Sequence, residues 1–167
     1  VVSENGEISE TTKYSQNEDG LVEVFNKQLA VIKKYFWKNN VYTGEYTEWY
    51  DSKKIKTTGS YVKNKWEGKW ENFYENGNRK SISEYNIGTL ISSAGWFLNG
   101  GKRFEYSVDK FGNGSSTYYY EEGKVKVISP IKLYSVIGEV TGFYQNGIKA
   151  FDASLSFGAF SEYFRVY

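Results

Sequence analysis

The chain has 167 residues, about one domain's worth or one continuous array. Its 21 basic and 20 acidic residues are interspersed and leave a formal net charge of +1, so no basic face for nucleic acid is expected. With no His and no Cys, Ser-His-Asp relays, Cys-His nucleophiles, disulfides and ordinary zinc sites are excluded.

In chain order, Asn5-Gly6 reads as a hairpin turn, followed eight residues later by Tyr14. Residues 21–37 fit two patterns. Leu21, Val24, Phe25, Leu29, Ile32 and Phe36 have helical spacing, but the β-branched content and the repeat phase, with Gly20 lying 24 residues before Gly44, favour two strands. Trp37, Tyr42, Gly44, Trp49 and Tyr50 then set a template that Tyr61, Trp66, Gly68, Phe73 and Tyr74 repeat with identical spacing. Between these copies, Lys53-Lys54-Ile55-Lys56 reads as a turn with solvated lysines.

The turn Asn76-Gly77 closes the second copy, because Gly readily adopts the positive φ that tight hairpin turns require. Tyr85 and Leu90 open the next, which leads to Trp96-Phe97 and the turn Asn99-Gly100. Tyr106 and Phe111 open a divergent copy that leads to Tyr119-Tyr120 and a turn at Gly123. Residues 124–137 read as an irregular connection in which Pro130, the sole proline, marks a strand start or a bulge. Ile131, Val136, Gly138, Phe143 and Tyr144 restore the pattern before Asn146-Gly147, and Leu155, Phe160 and Phe164 begin a last copy.

Tyr50, Tyr74, Phe97, Tyr120, Tyr144 and Tyr167 stand 24, 23, 23, 24 and 23 residues apart. A fixed period of this size marks repeated supersecondary units, each too small to bury its own apolar face. The expected fold is all-β: an elongated, single-layer antiparallel meander of about seven β-hairpins spanning residues 1–167 as one array, both ends falling within a repeat. Such a sheet has little interior, and a mean hydropathy of −0.61 beside 19% aromatic residues suits it.

The string Tyr61-x-x-Asn64-x-Trp66-x-Gly68-x-Trp70-x-x-Phe73-Tyr74-x-Asn76-Gly77 resembles the MORN repeat family, in its bacterial variant form. The resemblance covers nearly the whole chain, strongly at 37–100 and 138–149. It implies a hairpin sheet used as an interaction surface, and among bacterial members an immunity or antitoxin-like role. The family's link to phosphoinositide membranes finds no support in the balanced charge.

The candidate binding row comprises Trp49, Tyr50, Trp70, Phe73, Tyr74, Trp96, Phe97, Tyr119, Tyr120, Phe143 and Tyr144. These aromatics either pack the sheet or leave one ring of each adjacent pair on an open face, since neighbouring strand residues point to opposite sides. Exposed aromatic rows suit peptides and sugar rings. The expected partner is therefore a protein or extended peptide, with an exported glycan-binding protein as the rival and a structural spacer as a third reading. Asp109 to Gly114 faintly resembles a calcium loop but lacks an oxygen ligand at Phe111 and the downstream bidentate Glu, so it reads as a plain turn, and the Gly-rich spots lack phosphate-loop spacing. No catalysis, metal or cofactor is expected.

No apolar run approaches the roughly 20 residues of a membrane helix. The start at Val1-Val2-Ser3, without Met, suggests a removed signal peptide or upstream segment, which favours export. Uncovered terminal strands would invite an edge-mediated dimer.

Overall fold

The computed structural model describes residues 11–12, 20–156 and 159–167, with side chains for 20–156 and 164–167. The turn assigned to Asn5-Gly6, Tyr14 and the side chain of Phe160 lie outside these. No helix occurs among the described residues, and the strands pair antiparallel.

Two compact units divide the chain, Val1–Thr89 and Leu90–Tyr167. The first contains β1 (Thr11–Thr12), β2 (Gly20–Phe25), β3 (Val31–Lys38), β4 (Val41–Trp49), β5 (Ile55–Val62), β6 (Lys65–Phe73) and β7 (Arg79–Asn86). The first also holds Thr89, the opening residue of β8 (Thr89–Trp96); the second runs from Leu90 of that strand through β9 (Lys102–Val108), β10 (Gly114–Tyr119), β11 (Val125–Lys132), β12 (Ser135–Val136), β13 (Gly138–Phe143), β14 (Lys149–Ser156) and β15 (Ala159–Val166). Residues 21–37 are strands: Leu21 faces Phe36 and Val22 faces Tyr35 across the β2–β3 ladder. Cross-strand pairing of β-branched and aromatic residues has won over a helical spacing that had no second layer to pack against.

Turns of two kinds alternate in the first unit. At Tyr74 the N–H of Gly77 donates to the Tyr74 carbonyl (2.8 Å) and the Tyr74 N–H donates to the Asn78 carbonyl (2.8 Å). The Asn76 side chain accepts from the Asn78 N–H at 2.9 Å. Gly77 alone in this loop takes positive φ, at 94°, the mark of a three-residue hairpin with a glycine bulge. Phe97, Tyr120 and Tyr144 head identical loops, with Gly100, Gly123 and Gly147 in the left-handed position. Lys53 and Leu29 fill that position at φ 64° and 61°. The opposite ends are two-residue turns with both φ positive, at Asn39-Asn40 and Lys63-Asn64, which match the right-handed strand twist.

Pro130 does not sit in an irregular connection. It is inside β11, paired with Ser115 of β10, and a two-residue turn at Leu133-Tyr134 (φ 48° and 63°) closes the hairpin. On its other side β11 pairs with β13 at Val127 and Ile128 and with β12 at Ile131 and Lys132. Proline thus occupies the gap where the ladder passes from one short strand to the next, and its missing donor is tolerated there.

Burial is thin, as one layer dictates. In the first unit Val22, Val24 and Tyr35 form the buried centre, with Ile32, Trp37, Tyr42 and Tyr46 packed on it. In the second, Val108, Ile131, Val140 and Ala153 are buried with Ser116 and Ser129. Rings fill space where glycine allows: an added Cβ at Gly59 would meet the Trp70 indole at 2.1 Å, and one at Gly142 the Phe151 ring at 2.1 Å.

Candidate functional site

The aromatic pairs flank the three-residue turns, and a bulge falls on each. Phe73 opposes Arg79 while Asn72 opposes Ser81, leaving Lys80 as an extra residue. The same shift stands at Trp49, Trp96, Tyr119 and Phe143. A bulge interrupts the two-sided alternation, so sequence adjacency alone does not assign each ring a face. Trp49, Tyr50, Phe73, Tyr74, Trp96, Phe97, Tyr119, Tyr120 and Phe143 are all half-buried, while Tyr144 is exposed. Trp70 is buried beneath the surface and donates its indole N–H to the Ser60 carbonyl at 3.0 Å.

In three of the pairs the second ring ties one stretch of chain to the next. The Tyr50 hydroxyl donates to the Phe73 carbonyl at 2.7 Å, and Tyr120 donates likewise to Phe143 at 2.8 Å. Tyr144 reaches the Tyr167 carbonyl at 3.3 Å. The basic residue six positions on covers the same ring: Lys56 lies 5.9 Å from the Tyr50 centroid, Lys80 5.7 Å from Tyr74 and Lys126 5.4 Å from Tyr120. The recurring aromatic-turn-lysine pattern is therefore largely one of hairpin coupling.

A second set of rings forms a continuous row in the first unit, across the two-residue turns. Trp37 meets Tyr42 edge-on at 4.9 Å, and Tyr42 meets Tyr61 at 5.3 Å. Tyr61 faces Trp66 across the β5–β6 ladder and accepts its indole N–H at 3.2 Å. Trp66 meets Tyr85 edge-on at 4.9 Å. Behind this row lie Tyr35, Tyr46 and Trp70, with Trp70 5.5 Å from Tyr46, 5.0 Å from Tyr61 and 5.2 Å from Trp66. Trp66 remains 43% exposed, which makes it the open member of the row.

Bulges build this arrangement. Thr58 opposes Glu71 and Ser60 opposes Glu67, so β6 carries more residues than β5 over that stretch, and Gly68 takes φ 61° there. The slack lets Trp70 cross Gly59. Sequence reading placed Trp37, Tyr42, Tyr61, Trp66 and Tyr85 in the repeat template but did not nominate them for binding. The available signal was the spacing of five, which puts two residues directly opposite each other across a two-residue turn.

Electrostatics fix side chains at the sheet's other positions. The Tyr46 hydroxyl donates to Glu48 at 3.1 Å, and its pKa is raised by burial first and by the Glu48 charge next. Burial would lift the Glu48 carboxyl, but donation from Lys56 at 2.8 Å and that lysine's charge hold it below the ordinary range. In the second unit Glu105 accepts from Lys102 and Tyr119 and is held low by them. The buried Asp152 accepts from Lys149 (2.9 Å), Tyr167 (2.9 Å) and Thr141 (3.0 Å), and is likewise lowered. Among the described residues no three acidic side chains are grouped to hold a metal.

No curated protein matches the chain. Among solved structures, the crystal structure of TarM is similar over 59% of this chain and 19% of that one, at 16% identity and a TM-score of 0.36. A mutant of S. aureus TarM, crystallised with Fondaparinux, alpha-GlcNAc-glycerol and UDP, is similar over 60% of this chain and 20% of that one, at 16% identity and a TM-score of 0.37. The GtfA/B complex bound to UDP and GlcNAc aligns with 99% of this chain and 28% of that one, at 8% identity and a TM-score of 0.21. The chain thus spans less than a third of the length of each. The model of the MORN repeat variant matches residues 42–63, 66–86 and 113–132, the hairpins whose turns and bulges are described above. These three segments of the chain are MORN repeat variants.

Proposed function

We propose that this chain is a non-catalytic interaction module that binds an extended stretch of a partner protein across the aromatic row of its first unit. MORN repeats are generally interaction modules, which supports the class. The observation that carries the surface is the row Trp37, Tyr42, Tyr61, Trp66 and Tyr85, with Trp66 open to solvent. Rigid aromatics at low entropy cost are the usual anchors of protein interfaces. The absence of His and Cys supports a non-catalytic role. In its narrower form the partner is a toxin-like protein that this module neutralises, a reading supported by the resemblance to bacterial variant repeats.

The test is capture on the immobilised chain from source-organism and target-cell extracts, with mass spectrometry of what elutes. The expected result is a stoichiometric protein partner that is lost when Tyr61 and Trp66 are both replaced by Ala, with the β-sheet circular dichroism retained. Elution of polysaccharide without protein would overturn the reading in favour of glycan binding. A partner that survives the double substitution would move the interface elsewhere.

A further inference from the structure

One end of the aromatic row opens into a shallow depression of about 480 Å³, lined by Asn64, Lys65, Trp66, Ile87, Gly88 and Thr89. Its wall is held in place. The Trp66 indole is tethered to Tyr61 and packed between Trp70, at a tilt, and the edge of Tyr85. The Lys65 methylenes lie against Gly88, 3.4 Å from where a Cβ would stand. Asn64 is fixed by accepting the Tyr42 N–H at 2.7 Å and by donating its own N–H to the Tyr42 carbonyl at 3.0 Å.

The lining of this depression holds one cation, Lys65, with Lys63 two residues before it in the adjoining turn. Lys34, Lys56 and Lys69 of the same unit sit in ion pairs with Glu23, Glu48 and Glu71. Lys63 and Lys65 are exposed and have no acidic partner among the described residues. The nearby carboxylate of Glu67 is engaged by the Ile87 N–H. A lysine beside an indole, with the Asn64 amide and the Thr89 hydroxyl in the same lining and a second lysine in the adjoining turn, suits a carboxylate whose neighbour is apolar.

We propose that this depression receives a carboxylate of an acidic, extended peptide, and that the peptide's apolar side chains lie along the aromatic row. The proposal rests on the interaction-module reading and names its ligand chemistry. Geometry supplies the length: β3 to β7 are five adjacent strands about 4.8 Å apart, so the row spans about 19 Å, the reach of about six extended residues.

The test is fluorescence polarisation with a labelled octapeptide alternating Glu and Leu, beside Lys-Leu and Gln-Leu peptides of the same length. The acidic peptide is expected to bind at least about tenfold more tightly than either control and to weaken with salt. The variants Lys63→Glu and Lys65→Glu should each reduce its affinity by about tenfold or more, while Lys124→Glu in the second unit changes nothing. Both rim lysines are exposed, so these variants should fold; Trp66→Phe, which keeps a ring, should weaken binding without loss of charge selectivity. Equal binding of the three peptides, indifference to Lys65→Glu, or binding of an oligouronate in place of the peptide would each overturn the proposal. A captured protein partner that ignores Lys65→Glu sinks this inference alone, whereas capture of no protein by the unaltered chain removes the module reading on which it rests.

Discussion

Gly59→Ala tests the account of the first unit most sharply, because two effects of opposite sign meet there. Gly59 lies within β5 and is not among the glycines of positive φ. On backbone grounds alanine should therefore stabilise the strand by about 0.5–1 kcal/mol. The added Cβ, however, would stand 2.1, 2.3 and 2.6 Å from atoms of the Trp70 indole. The neighbour cannot yield by a small shift, since Trp70 is only 6% exposed and bonded to the Ser60 carbonyl. Overpacking of this kind typically costs 1–3 kcal/mol, and complete loss of a buried Trp roughly 3–5 kcal/mol. We expect a net loss of about 2 kcal/mol, bounded above by the effect of Trp70→Ala. Urea unfolding followed by tryptophan fluorescence and circular dichroism gives the value. The cycle closes with the double variant: in the Trp70→Ala background, Gly59→Ala should turn neutral or stabilising. A Gly59→Ala protein as stable as the parent, or a penalty that persists without Trp70, would refute the stacking argument.

Further expectations concern the turns, the hydroxyl ladder and acid stability. Tyr50→Phe and Tyr120→Phe each remove one hydrogen bond to a carbonyl of the next hairpin and should cost about 0.5–1.5 kcal/mol in urea titrations. Gly77→Ala meets no atom within 4 Å but must hold φ at 94°, so a loss of about 1 kcal/mol would come from backbone strain alone. Lys53→Gly, at the equivalent left-handed position, should be neutral or gain up to about 1 kcal/mol by the same measurement. The Asp152 carboxyl titrates lower when folded, owing first to the Lys149 hydrogen bond. Its contribution is thus full above the ordinary carboxylate range and lost as pH falls through and below that range. Urea midpoints between about pH 7 and pH 3 should drop less steeply for Asp152→Asn than for the parent.

Local requirements were readable in the sequence and displaced ones were not. Asn76-Gly77 and Asn146-Gly147 announce turns because only the residue at that position must accept positive φ, a property of one residue. Leu133-Tyr134 occupy positive φ without any such residue, so a hairpin with a proline in its first strand read as an irregular connection. The strands of 21–37 were legible through β-branched content and repeat phase together. For the candidate site, the pairs beside Asn-Gly turns were conspicuous, yet their hydroxyls and covering lysines serve the links between hairpins. The open row depends on Tyr61 and Trp66 meeting across Lys63-Asn64, and on a bulge at Gly68 that slides Trp70 over Gly59. Register shifts of that kind are set by strand pairing, which no single segment encodes.

The hydroxyl ladder has one further implication. Tyr50 and Tyr120 each address a main-chain carbonyl 23 residues away, not a side chain. A carbonyl is offered by whatever residue stands there. Neighbouring hairpins are joined by a coupling that is indifferent to side-chain identity, so a hairpin could be duplicated, deleted or exchanged without co-adapting its neighbour. Growth by copying and drift of individual surfaces then become compatible: the joints stay constant while the faces between them are free to acquire different partners.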